Sequence, residues 1–133
     1  MEVGGLLIDT SILIDYFRKT DKTKSRLVQH FQTFGTLYIS AITEFEIYNG
    51  ATDLHREFWD KMLQRMQVLD FDRLAARESA RIVTDLKKKR KSIDKPDLFI
   101  AATAIVHDLH FDTLNLKHFT HIDKLKLLKI NTI

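Results

Sequence analysis

Leu6-Leu7-Ile8-Asp9-Thr10-Ser11-Ile12-Leu13-Ile14-Asp15 is the stretch on which the fold turns. Three apolar residues run into a carboxylate, two hydroxyl residues follow, and the apolar pattern resumes at helical spacing through Phe17. That pattern predicts a buried strand delivering Asp9 to its carboxyl end. It also predicts a short helix from Ser11, whose side-chain oxygen can cap the first turn. Open α/β sheets place their chemistry at the carboxyl ends of their strands. Asp9 is therefore the first candidate site residue, and Asp15 is a second acid about a turn and a half further on.

Working outward, Lys19 to Lys24 reads as a turn, and Leu27, Val28, Phe31 and Phe34 form a helical stripe that ends before Gly35. Leu37-Tyr38-Ile39-Ser40 is a compact strand, and Ala41 to Asn49 sets Ile42, Phe45 and Ile47 in a helical register closed by Gly50. The strand-to-helix unit thus repeats. A helix over Leu54 to Met66 carries Phe58, Trp59, Met62, Leu63 and Met66 along one side, which suits core or oligomer packing better than base stacking. Val68-Leu69 is a brief extended piece, and Asp70 or Asp72 can cap a long helix from Arg73 to about Lys89. Pro96, the sole proline, fits the first turn of a further helix over Asp97 to Val106, because its missing N–H costs nothing there. His110-Phe111-Asp112-Thr113 and Leu127 to Ile130 are short extended segments. Strands alternating with helices imply a parallel sheet with right-handed crossovers, an α/β sandwich.

The 133 residues suit a single domain, 1–133, and 44% hydrophobic content supplies a core without staples. With no cysteine there is neither a disulfide framework nor a zinc–thiolate site, which fits a reducing compartment. Met1 to Gly5 lacks the charged and apolar regions of a signal peptide, and no apolar run approaches the roughly 18 residues of a membrane span. The expectation is a soluble cytoplasmic protein with no membrane association. A formal charge of +3 and a pI near 9.2 favour a polyanionic partner, though weakly.

Three acids occupy places where a site could form: Asp9 at a strand end, Glu46 within the helix after the second strand, and Asp97 at the start of the helix after Pro96. Each stands among apolar neighbours, where an unpaired carboxylate is costly to bury. Periodicity places Glu46 at the edge of the buried side and does not decide between it and Glu44. Asp97 is explained by the helix dipole alone, yet Leu98-Phe99-Ile100-Ala101-Ala102-Thr103-Ala104 behind it is almost wholly apolar, so its first turn should face the interior. Asp94 reads as a surface or supporting residue. Converging carboxylates without Cys or His make a hard, oxygen-only site suited to Mg²⁺ or Mn²⁺, and such acids stay ionised together only when cations compensate them. The chemistry that follows is metal-assisted phosphodiester hydrolysis on RNA or DNA.

Four segments carry a resemblance. They are Leu7-Ile8-Asp9-Thr10-Ser11, Ser40 to Glu46 leading to Gly50, Asp97 to Ala104, and Thr113-Leu114-Asn115-Leu116-Lys117-His118-Phe119. In order and spacing they resemble the motifs of PIN-domain ribonucleases, specifically the VapC-type toxins of prokaryotic toxin–antitoxin pairs, over nearly the whole chain. The resemblance implies a PIN-like three-layer α/β/α sandwich with a central, mainly parallel sheet, and a Mg²⁺- or Mn²⁺-dependent endoribonuclease. It puts the family's three acids on Asp9, Glu46 and Asp97, and so favours Glu46 over Glu44. No side chain then serves as nucleophile. Thr10, Ser11 and Thr113 fall on hydroxyl positions that orient carboxylates or water, and read otherwise they are caps and turn residues. Asn115 stands where many relatives carry a fourth Asp; it offers a carbonyl oxygen but no charge, which weakens the case for a second tightly held metal. Asp112 is nearby, and is better read as a strand-end acid than as a substitute for that fourth Asp. The resemblance also implies RNA as substrate, a homodimer and a cognate antitoxin lying along a groove near the site, for which Phe31, Phe34 and Tyr48 are candidate contacts.

Lys87-Lys88-Lys89-Arg90-Lys91 reads first as a solvated helix end favoured by the dipole, and alternatively as a ridge guiding RNA phosphates. The histidines at 30, 55, 107, 110, 118 and 121 show no convincing ligand spacing, and none is assigned to catalysis. Two rival functions remain. One is a phosphotransfer domain with Asp9 as phosphoacceptor, against which no second Asp stands two residues on. The other is a non-catalytic RNA-binding module, in which loss of acids would be expected.

Overall fold

A computed structural model describes residues 4–129 of the chain. Within them, β1 (Gly5–Ile8), β2 (Thr36–Ser40), β3 (Gln67–Leu69), β4 (His110–Asp112) and β5 (Lys126–Leu127) form one sheet in the order β3-β2-β1-β4-β5, every neighbouring pair parallel. The helices are α1 (Thr10–Arg18), α2 (Arg26–Thr33), α3 (Ala41–Gly50), α4 (Asp53–Leu63), α5 (Arg73–Lys88) and α6 (Lys95–Val106), with 3-10 turns at Lys22–Lys24 and Leu116–His118. No helix of the described residues is long and apolar enough to cross a membrane.

The pleat of β1 explains the layering. Leu6 and Ile8 point to one face, where Ile12 and Leu13 of α1, Leu27 of α2, Ile47 of α3, and Trp59, Met62 and Leu63 of α4 cover them. Leu7 points to the other, against Ile82 and Leu86 of α5, Leu98 and Ile100 to Ala102 of α6, and Phe111 of β4. A sheet buried on both sides needs continuously apolar strands, which is what Leu6-Leu7-Ile8 supplies, each side chain contributing about 1.5–3 kcal/mol. The result is a three-layer α/β/α sandwich, as the resemblance implies.

β1 sits at the centre, pairing with β2 on one side and β4 on the other. The chain leaves β1 toward β2 and returns on the far side at β4, so a crevice opens outside the carboxyl ends of β1 and β4. Asp9 lies at that point, its N–H donating to the Asp112 carbonyl at 2.9 Å.

Several sequence expectations need correction. Ser11 does not cap α1: Asp9 takes the N-cap position, without a side-chain cap bond, and the Ser11 hydroxyl donates to Asp9 instead. Phe45 is exposed, and Thr43 joins Ile47 as a buried residue of α3. Phe34 belongs to the core and so is no free contact for a partner. Helix α4 ends at Leu63, although Met66 stays buried. The last strand is Lys126–Leu127, short of the expected Leu127 to Ile130, of which Ile130 lies outside the described residues. Of the two candidate caps for α5, Asp72 is the one used, accepting from the Ala75 N–H at 3.0 Å.

Candidate active site

Asp9, Glu46 and Asp97 line one open cleft of about 490 Å³, together with Thr10, Ser11 and Asn115. Each acid arrives on a different element. Asp9 follows β1, Glu46 rides the middle of α3, and Asp97 occupies the first turn of α6, held there by Pro96 in that same turn. Every one of the proposed acids is thus brought to the crevice by the topology.

Each carboxylate is steadied on one oxygen by a neutral or basic partner. Asp9 Oδ2 accepts from Ser11 Oγ and from Thr113 Oγ1, both at 2.8 Å. No hydrogen bond from the described residues reaches Oδ1. Ser11 Oγ in turn accepts from the Leu114 N–H at 3.0 Å, and Thr113 Oγ1 from the Asn115 N–H at 2.9 Å, so the loop after β4 is stitched to the start of α1. Glu46 Oε1 lies 2.7 Å from Thr10 Oγ1, which is 2.9 Å from Thr43 Oγ1. Thr10 has one proton; given to the carboxylate, it leaves the Thr43 hydroxyl as donor in the second contact. Asp97 Oδ2 lies 3.0 Å from His118 Nδ1. Thr10, Ser11 and Thr113 therefore orient carboxylates directly.

The electrostatics are those of a crowded acidic site. Burial pushes the Glu46 carboxyl above the ordinary range; the Thr10 hydrogen bond opposes this, and the charges of Asp9 and Asp97 push it further up. Asp97 is likewise raised, first by burial and next by Asp9, with His118 opposing. No three carboxylate or imidazole groups of the described residues stand close enough to grip an ion by themselves. The donor set is all oxygen and open to solvent, which fits a cation that keeps several waters and takes one or two carboxylates, as Mg²⁺ does. It suits zinc less, since zinc sites are built mainly on cysteine and histidine and the cleft lining has neither.

Some residues fall differently from their sequence reading. His118, passed over with the other histidines, contacts Asp97; the 3-10 turn at Leu116–His118 makes this 21-residue jump, which no spacing rule shows. Asp15 and Arg18 line the cleft wall, so Asp15 is closer to the site than its helical offset suggested. Asp112 is not in the cleft: it is 4% exposed, with His30 Nε2 at 2.6 Å and Arg26 Nη1 at 3.4 Å. Asp94, exposed, takes the N-cap position of α6. Glu44 lies in a separate depression with Tyr48 and Asp60, apart from the three acids. Among the described residues no lysine lines the cleft, which disfavours Asp9 as a phosphoacceptor.

Comparison with known proteins places this geometry in a family. The PIN domain model matches residues 6–125. Ribonuclease VapC1 of Rickettsia felis is 34% identical, the match spanning 96% of this chain and 98% of that protein. The crystal structure of VapBC2 from Rickettsia felis, bound to a DNA fragment from their promoter, superposes with a TM-score of 0.82 at 25% identity, over 96% of this chain and 99% of that one. A toxin–antitoxin complex from Klebsiella pneumoniae matches at 30% identity and a TM-score of 0.71, over 90% of this chain and 94% of its own. A central parallel strand ending in Asp9, two further acids on α3 and α6, and these matches along almost the whole length make the chain a member of the PIN-domain family, in its VapC branch.

Proposed function

We propose that residues 1–133 form one nuclease unit that hydrolyses phosphodiester bonds within RNA, with Asp9, Glu46 and Asp97 holding a Mg²⁺ or Mn²⁺ ion, directly or through the ion's waters, and Asn115 completing the pocket. The observation that carries this reading is the convergence of three acids from separate elements on one cleft, two of them raised in pKa by burial and by their neighbours. Such mutual repulsion calls for a cation. When bound, the ion neutralises the acids, activates water and stabilises the charge that develops on the phosphate. The chain's own residues prepare for it. Ser11 and Thr113 hold one oxygen of Asp9, Thr10 holds one of Glu46, and His118 holds one of Asp97, so that each acid keeps its other oxygen available. Asn115 offers a neutral amide for a water or a phosphate oxygen.

The VapC relatives and the toxin–antitoxin complex support a biological role as the RNA-cleaving toxin of such a pair, silenced by a cognate antitoxin; action in the cytoplasm as a homodimer belongs to the same proposal. Incubating the protein with labelled RNA tests the chemistry. Cleavage with Mg²⁺ or Mn²⁺ that stops with EDTA is the expected result, and cleavage unaffected by chelation contradicts it. Size-exclusion chromatography with light scattering tests the dimer: a mass of twice 15.6 kDa is expected, and a single-chain mass contradicts it.

A further inference from the structure

Three depressions on the surface join end to end. The acidic cleft shares Asp97 with a neighbouring cavity of about 200 Å³, lined by Asp94, Leu86, Ile93 and Ile122 and by the basic or imidazole side chains of Lys117, His118 and His121. That cavity shares Leu86, Ser92 and Ile93 with a third, bordered by Lys87, Lys91 and Lys95. Neighbouring depressions, each sharing lining residues with the next, therefore lead from the acids, past the start of α6, to a group of lysines. Lys87, Lys91, Lys95 and Lys117 make no ion pair among the described residues.

The lysines reach one place because of how α5 ends. Arg90 adopts a left-handed conformation at φ 58°, uncommon for a residue with a side chain. Its N–H donates to the Lys87 carbonyl at 3.1 Å and the Lys91 N–H to the Leu86 carbonyl at 2.9 Å, the pair of bonds that reverses a chain at a helix end. The reversal folds Lys91 back beside Lys87. Lys89 does a different job: its Nζ binds Asp85 at 3.1 Å, Asp123 at 2.7 Å and the His121 carbonyl at 2.9 Å, pinning the end of α5 to the segment that forms the opposite wall. The basic run thus divides into one structural cation and others left over for solvent or a ligand. The depression on the other side of the cleft, reached through Glu46, is lined by Ile14, Phe17, Ile47 and Trp59 with Arg18 as its one lysine or arginine, and is poorly matched to phosphates.

Resting on the reading of the cleft as an RNA-cleaving site, we propose that the substrate is a single strand that leaves the cleft on the Asp97 side, crosses the small cavity and lays its phosphates along Lys87, Lys91 and Lys95. An acidic cleft repels phosphates, so the strand needs cations immediately beyond it, and this is the side that supplies them. Lys117, His118 and His121 line the intermediate cavity beside Asp94 and Asp97, so the strand crosses a wall of mixed charge on which Lys117 can take the adjoining phosphate.

The test is fluorescence anisotropy with a labelled, mixed-sequence single-stranded RNA in EDTA, from about 50 to 200 mM KCl. The full-length protein is compared with a K87Q/K91Q/K95Q variant and with a K24Q/R56Q/K61Q control that removes as many cations elsewhere. Three lost phosphate contacts should make the slope of log K against log salt less negative by about 2, since each contributes about 0.7 on a single strand, while the control keeps the wild-type slope. Equal slopes in the two variants overturn the path. So does an unchanged RNA slope accompanied by lost binding of poly-L-glutamate, which would assign the lysines to an acidic protein. Failure of the underlying reading looks different: wild-type protein that binds RNA with a lysine-dependent slope but never cuts it in Mg²⁺ or Mn²⁺ removes the nuclease, whereas cutting with equal slopes removes only the path.

Discussion

Asp9 and Asp112 are joined by a backbone hydrogen bond and are almost equally buried, at 3% and 4% exposure, yet replacing each with Asn should have opposite consequences. In Asp9→Asn the amide oxygen can take the place of Oδ2 and keep both hydroxyl donors, Ser11 and Thr113. What disappears is a negative charge facing Glu46 and Asp97, so the fold keeps or gains stability. Activity should fall by at least about 100-fold, because even residues that only support a metal ligand typically cost 10–100-fold when changed. In Asp112→Asn one acceptor oxygen remains where the carboxylate offered one each to His30 and Arg26, and the new amide N–H2 suits His30 only if the imidazole changes tautomer to accept from it. A buried donor left unsatisfied costs about 1–3 kcal/mol. For a chain of this length that lowers the melting temperature by about 3–15 °C, with activity at low temperature within several-fold of wild type. Thermal melts and cleavage of a labelled RNA in Mg²⁺ read out both effects. Wild-type cleavage by Asp9→Asn would refute the reasoning, as would a loss of stability in Asp9→Asn equal to that in Asp112→Asn.

The raised carboxyl of Glu46 binds protons more readily in the folded chain than in the unfolded one, so it destabilises the fold increasingly as pH rises from the ordinary carboxylate range through its raised value. Glu46→Gln should therefore raise the melting temperature at pH 7, with the gain vanishing near pH 4; no gain at pH 7 contradicts the assigned repulsion. His118→Ala should lower kcat/KM by about 10–100-fold and weaken Mn²⁺ affinity, since Asp97 loses its steadying partner, whereas His118→Asn, which restores a donor near Nδ1, should recover part of both. Glu44→Gln should leave cleavage at the wild-type rate, measured beside Glu46→Gln, because Glu44 lies outside the cleft. Phe111→Ala removes a fully buried ring packed 4.8 Å from Phe119 and should cost about 3–5 kcal/mol by chemical denaturation.

Much of this site is legible in the residues themselves. Leu6-Leu7-Ile8 running into Asp9 announces a buried parallel strand, and the apolar run after Asp97 forces that helix inward, so two of the acids can be placed from patterning alone. Glu46 could not be separated from Glu44 by periodicity, because α3 has little amphipathic contrast: Phe45 is exposed while Thr43 is buried. The motif resemblance favours Glu46, and the cleft contains it. Contacts made across the crevice were illegible for a physical reason. Ser11 looks like a helix cap from its neighbours, but its hydroxyl is drawn to Asp9 and to the loop after β4, which only the pairing of β1 with β4 brings near. His118 and Asp97, and likewise His30 and Asp112, pair over long sequence separations that local rules do not reach. The basic run is uniform in sequence, and only the reversal at Arg90 sets Lys89 apart from Lys87 and Lys91.

Whether Asp9, Glu46 and Asp97 together hold a divalent cation decides the proposed chemistry. A crystal soaked in Mn²⁺ and measured at the manganese absorption edge tests it most directly. An anomalous peak in the cleft, within ligand distance of carboxylate oxygens from at least two of the three acids, is the expected result. The peak should be absent from Asp9→Asn crystals treated identically. A peak held by other residues, or an empty cleft in crystals of protein that cuts RNA at the same Mn²⁺ concentration, would contradict it.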